Sequence, residues 1–156
     1  MGLFSFLKGS GNKVLDKKAE QAAAAISAEE VKRQKIERLT KAVNELNLPI
    51  KDLSLILNDD VVTAYGEAET QVAKELVILT LGNNADIASV DDRISVVKPE
   101  PEAEFYEVKP GDSLSKIAKQ FYGDAMKYNT IFEANTPMLK DPNLIYPGQV
   151  LRIPKL

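Results

Sequence analysis

The chain contains no cysteine, no histidine and no tryptophan in its 156 residues. Zinc sites, thiol nucleophiles, Ser-His-Asp triads and redox disulfides all need residues that are missing. With no disulfide to read, cysteine usage gives no indication of compartment. No apolar run reaches the roughly 18 residues of a membrane-spanning helix, so no integral membrane segment is expected. Basic residues are in slight deficit, 20 Lys and Arg against 23 Asp and Glu for a formal net charge of −3, which argues against a nucleic-acid partner. Hydrophobic residues nevertheless make up 44% of the chain. That is a globular composition, at a length that suits one domain or two small ones.

What is present is unevenly distributed. Residues 1–27 carry four Lys against one Asp and one Glu, whereas residues 28–97 carry eight basic and thirteen acidic residues, a balance of −5. The middle of the chain would therefore draw cations rather than phosphates. The opening MGLFSFL is apolar, but it has no basic lead and is interrupted by Lys8 and Gly9, so it does not fit a secretory signal. Phe6 stands where N-myristoylation needs Ser or Thr. A cytoplasmic protein is expected.

Hydrophobic spacing divides the rest. Ser27 and Glu30 fit a capping box, and Val31, Ile36, Leu39, Val43 and Leu46 follow one buried helical face that ends at Pro49. Leu53, Leu55 and Leu57 have a strand period, Asn58-Asp59-Asp60 makes a polar turn, and Val61 to Tyr65 returns as a second strand that Gly66 is expected to end. Residues 69–81 recover helical spacing, a polar loop follows from Gly82, and Ile87 to Val96 reads as a last strand. The order α-β-β-α-β makes a small α+β layer. Lys98 to Glu104, KPEPEAE, is a stiff extended linker. Beyond it, Tyr106–Val108 reads as a strand, and Asp112 or Ser113 caps a helix carrying Leu114, Ile117, Ala118 and Phe121. Tyr122-Gly123-Asp124 opens a second helix with Tyr128, Ile131 and Phe132, and Val150–Ile153 closes the unit as β-α-α-β.

An enzyme is hard to build from these residues, and no catalysis is expected. The carboxylate pairs Asp59-Asp60 and Asp91-Asp92 are adjacent in sequence, and neighbours on a strand point to opposite faces. The first pair suits a hairpin tip instead. Asp86, Asp91 and Asp92 do not make a calcium loop, which wants clustered carboxylates and a bidentate Glu. Gly9-Ser10-Gly11 follows no predicted strand and has Val14 where a phosphate loop would place Gly.

Residues 105–154 resemble a LysM module through YEVKPGDSLSKIAKQFYGD, IFEANTPML and LIYPGQVLRIP. Residues 28–97 resemble a BON domain through NDDVVTAYGEA and IASVDDRISVV. Together with the opening MGLFSFLK, the chain resembles the family of small BON–LysM potassium-binding proteins. The resemblance implies an arm at 1–27 packed on a BON domain at 28–97 (αββαβ), a linker at 98–104 and a LysM domain at 105–156 (βααβ). It implies a monomeric, selective K⁺ sensor that changes conformation on binding.

Potassium is large and weakly charged, and a cage of neutral carbonyl oxygens can replace its hydration shell. Such a cage needs irregular backbone with carbonyls free of helix or sheet pairing. Leu7–Asn12 and Gly82–Ile87 qualify, with glycines to permit unusual backbone angles. Their residues alone would read as an arm and an ordinary loop. The family resemblance implies a site on the main-chain carbonyls of Leu7, Ser10, Asn12, Gly82, Asn84 and Ile87, with Asn84 where the family protein has an apolar residue. Two rival readings stand beside it. LysM modules bind N-acetylglucosamine polymers, and the corresponding loops here hold Gly111, Asp112, Ser113 and Leu114, and Asn143, Leu144, Ile145 and Tyr146. Alternatively the apolar arm with Lys8, Lys13, Lys17 and Lys18 attaches to membrane surfaces, although Gly9 and Gly11 spoil an interfacial helix.

Overall fold

The computed structural model describes residues 2–5 and 28–156. The N-terminal unit comprises strand β1 (Gly2–Ser5), helix α1 (Ala28–Asn44), strands β2 (Ile50–Asn58) and β3 (Val61–Thr70), helix α2 (Gln71–Gly82) and strand β4 (Ser89–Lys98). The C-terminal unit comprises β5 (Glu104–Glu107), α3 (Leu114–Tyr122), a 3₁₀ turn at Ala125–Lys127, α4 (Tyr128–Ala134) and β6 (Val150–Ile153). Helices and strands are mixed in both, an α+β fold. The capping residue expected at Ser27 lies outside the described residues.

The first sheet has the order β1-β4-β3-β2. β2 and β3 form an antiparallel hairpin whose tip places Asp59 at φ 53°, a conformation Asp tolerates. β3 then runs directly into α2, where the Thr70 hydroxyl accepts from the Ala73 N–H at 3.1 Å. After α2 the chain returns as β4, parallel to β3, and β1 joins the far side of β4 antiparallel. Sequence spacing did not reveal β1, because its partner strand lies almost 90 residues downstream.

Gly66 does not end the hairpin but sits inside β3, opposite a bulge between Lys51 and Ser54. Its φ is 155°, and a Cβ there would meet the Lys51 carbonyl oxygen at 3.0 Å. The glycine marks close backbone approach rather than a turn. The last strand likewise starts at Ser89, two residues later than expected, because Ala88 and Ser89 donate to the Asp60 carbonyl at the hairpin tip.

Both helices cover one face of this sheet. Leu39 and Val43 of α1 and Ala73, Val77, Ile78 and Leu81 of α2 pack on Leu55, Leu57, Val62, Ala64, Val90 and Ile94. Even Gln71, Lys74 and Glu75 of α2 are buried, and α2 also contacts β6. A helix apolar nearly all round is one covered on more than one side. The C-terminal unit has its own core of Val108, Leu114, Ile117, Ala118, Ile131, Leu139, Leu151 and Ile153. Ser113, rather than Asp112, caps α3, and Gly123 ends it at φ 73°. The second helix of this unit is entered through the 3₁₀ turn, with the Asp124 carboxylate accepting from the Met126 N–H at 2.9 Å.

Candidate functional site

At the C-terminal end of α2 the Leu79 and Leu81 carbonyls accept from the Asn83 N–H, and the Thr80 carbonyl accepts from the Asn84 side chain. The last carbonyls of any helix lack intrahelical donors and form the negative end of its dipole, where cations are favoured. The last turn of α2 carries no basic residue of its own. Gly82 is its final residue rather than part of the following loop, and it is buried. The Asn84 side-chain amide donates to the Thr80 carbonyl at 2.6 Å, and the Asn84 carbonyl accepts from the Ile87 N–H at 3.3 Å. Ile87 is buried in the N-terminal core, which anchors the far end of the loop.

Three of the six residues expected to hold the ion, Gly82, Asn84 and Ile87, lie between the last residue of α2 and the start of β4. Leu7, Ser10 and Asn12 lie outside the described residues. Of the arm, β1 pairs with β4, and Phe4 packs on the N-terminal core and against Phe105 of β5, with ring centroids 5.4 Å apart.

A small pocket beside the loop is lined by Lys35, Arg38, Leu39, Asn84, Asp86 and Ile87. Lys35 Nζ lies 3.5 Å and an Arg38 terminal nitrogen 3.9 Å from Asp86 Oδ2. The two cations reach the loop together because positions three apart share a helix face.

Asn83, between two of the expected ligands, had no assigned role in the sequence. Its side chain accepts from the Val150 N–H at 2.9 Å and donates to the Val150 carbonyl at 3.0 Å. Asn135 makes the same pair of bonds to Arg152, at 2.8 and 2.9 Å. Residues 150 and 152 are two apart on β6, so both present their main-chain groups on the side away from β5. One asparagine comes from the C-terminal unit and the other from the end of α2. A second link lies one face along α2, where buried Glu75 accepts from the Ala103 N–H at 3.1 Å and pairs with Arg152 at 3.5 Å. Burial pushes the Glu75 carboxyl up, opposed by the Ala103 bond and Arg152.

The neighbouring carboxylates Asp91 and Asp92 point to different partners. Asp92 is buried against Lys74 at 2.8 Å, while Asp91 pairs with Arg93 on the outer face. Among the described residues, no group of three or more Asp or Glu side chains could hold a metal ion. In the C-terminal unit, Asp112, Ser113 and Leu114 and, across from them, Asn143 and Ile145 line one cleft together with Ser115, Tyr128 and Pro142. Leu144 is exposed nearby, whereas Gly111 and Tyr146 do not line the cleft. Among the described residues, no helix is long and apolar enough to cross a membrane.

Comparison with known proteins gives the decisive likeness. The chain is 42% identical to the potassium binding protein Kbp of Escherichia coli O6:H1, over 99% of both chains. It belongs to the Kbp family. Residues 106–154 match the LysM domain family. Shorter likenesses reach larger proteins. The chain is 59% identical over 49 residues to an uncharacterized protein of Deinococcus radiodurans, covering 31% of this chain and 19% of that protein. It is 37% identical over 90 residues to an esterase of Mycobacterium tuberculosis strain H37Rv, covering 57% of this chain and 18% of the esterase. Within the Kbp family, then, this member has its α2–β4 loop bonded through Asn83 to the last strand of its LysM domain.

Proposed function

We propose that this protein binds K⁺ on main-chain carbonyls and acts as a non-enzymatic, monomeric cytoplasmic sensor of that ion. Kinship along almost the full length with a potassium binding protein carries the reading. The C-terminal end of α2 supports it, because carbonyls there suit a weakly charged cation without any carboxylate cluster. The proposed ligands are the carbonyls of Leu7, Ser10 and Asn12 from the arm and of Gly82, Asn84 and Ile87 from the loop. The proposed division is an arm at 1–27, a BON domain at 28–97, a linker at 98–104 and a LysM domain at 105–156.

The mechanism is linkage. An ion that needs arm and loop ordered together stabilises the state in which both are ordered, by RT ln(1+[L]/Kd). Asn83 extends that order to β6, so occupancy favours the docked arrangement of the two units. Thermal unfolding in choline chloride, with choline replaced stepwise by KCl or NaCl at constant ionic strength, tests the reading. The expected result is a saturable rise in Tm with K⁺ and little change with Na⁺. Identical curves in all three salts would sink it. The second reading, binding of N-acetylglucosamine polymers, rests on the LysM match and on the cleft at Ser113 and Asn143. Retention on peptidoglycan that is indifferent to K⁺ is its signature.

A further inference from the structure

An acid sits in the junction between the two units, and both its hydrogen-bond and its ion-pair partner lie beyond β4 in the chain. Glu75 is 3% exposed, in the first half of α2. Its two oxygens share one N–H, that of Ala103 in the linker, at 3.1 and 3.4 Å. An Arg152 terminal nitrogen stands 3.5 Å away, and the guanidinium makes a closer bond, 3.0 Å, to the Ala134 carbonyl. A carboxylate offers about four lone-pair sites, and burying one is costly unless they are filled. One shared N–H and one long ion pair suit a carboxylic acid better than its anion.

The surroundings agree. The charged groups that bear on Glu75 are Arg152 on β6, which favours the anion, and Glu102 on the linker, which opposes it. Lys74, its neighbour on α2, is engaged by Asp92 of β4 at 2.8 Å. Tyr122 of α3 feels Arg152 and Glu104 of β5. Gln71, one turn earlier and also buried, is neutral. Burial is the largest influence and pushes the Glu75 carboxyl above its ordinary value.

We infer that Glu75 makes docking of the two units proton-linked: the docked junction takes up a proton there as the medium acidifies, and parting the units releases it. The inference goes beyond the K⁺ reading and does not depend on it. The sign follows from linkage. With the units parted, Glu75 faces water on α2 and returns to its ordinary value of 4.5. In the docked state it keeps its proton to higher pH. Docking is therefore strongest below the ordinary value and weakens as pH rises through the raised one. Mild acid tightens this junction, whereas it would loosen one held by well-paired carboxylates.

The chain has no cysteine, so Lys41→Cys on α1 and Lys127→Cys in the 3₁₀ turn attach one dye to each unit, both at exposed positions. Energy transfer in the full chain is followed through a urea titration in choline chloride at about pH 5 and about pH 7, on either side of the range in which a raised glutamate titrates. The labelled chain is compared with the same chain carrying Glu75→Gln, which mimics the protonated acid. With Glu75 intact, the urea midpoint for loss of transfer is expected to be higher in the acid than at neutrality, relative to Glu75→Gln. That excess should be lost in the variant, and the comparison cancels Asp112 and every other carboxylate common to both chains. The same pH dependence in both chains, or an excess of opposite sign, overturns the inference. Should Glu75→Gln fail to fold, carbon-13 titration of the Glu75 carboxyl in the unsubstituted chain decides. A midpoint above 4.5 supports the inference, and one at or below 4.5 overturns it. No K⁺ is present, so neither result bears on the ion reading.

Discussion

At the scale of single residues, Tyr106 and Asp112 show how a family motif is held by one proton. The Tyr106 hydroxyl donates to Asp112 at 2.6 Å, and the same carboxylate accepts from the Lys109 N–H at 2.9 Å. The Tyr106 bond holds the Asp112 carboxyl below its ordinary value, and the bond to Asp112 pushes the phenol up to about 12. A lowered carboxyl contributes stability above its ordinary value that is lost as pH falls through the lowered one. A raised phenol contributes stability below its ordinary value of about 10 that is lost as pH rises through about 12. Tyr106→Phe should therefore cost about 1.5 kcal/mol near neutral pH, as for a hydrogen bond to a charged group. Urea unfolding of both chains checks this, and the gap between them should narrow below the ordinary carboxylate value of about 4 and close only as pH falls through the lowered Asp112 value.

At the scale of elements, Gly66 is the clearest single dependence. A methyl group there would crowd the Lys51 carbonyl at 3.0 Å, in a backbone conformation that other residues rarely adopt. Gly66→Ala is expected to destabilise the N-terminal unit by about 1–3 kcal/mol, the range for local backbone strain. A Tm depressed without loss of the folded circular-dichroism spectrum would confirm it. The same residue shows where sequence reading stops. Period-two and period-3.6 spacing located α1, the β2–β3 hairpin, α2 and β4, because their apolar residues pack on the same core. Spacing cannot distinguish a glycine that ends a strand from one that faces a bulge, since the neighbour that decides lies on another strand. β1 escaped notice for the same reason: four residues have too little periodicity, and their partner is remote.

At the scale of the whole molecule, the expected ion loop was legible only through family resemblance, because main-chain carbonyls place little demand on side-chain identity. Asn83 left still less trace. An asparagine after a helix usually serves its own turn, and nothing local announces a bond to a strand 67 residues away. Asn83→Ala removes two bonds between the units, and at about 1 kcal/mol each should lower stability by about 2 kcal/mol. Under the sensor reading it should also shrink the Tm rise produced by KCl relative to choline chloride. An unchanged K⁺ increment in that variant would mean that the loop responds without consulting β6. The paired asparagines have one more consequence. β6 has β5 on one side only, and an uncovered strand edge is a template for pairing with other chains. Asn135 shields the Arg152 end of that edge from within the C-terminal unit, but the Val150 end is shielded by a residue of its neighbour. Any event that parts the two units therefore uncovers an adhesive edge, and their docking guards the protein against self-association.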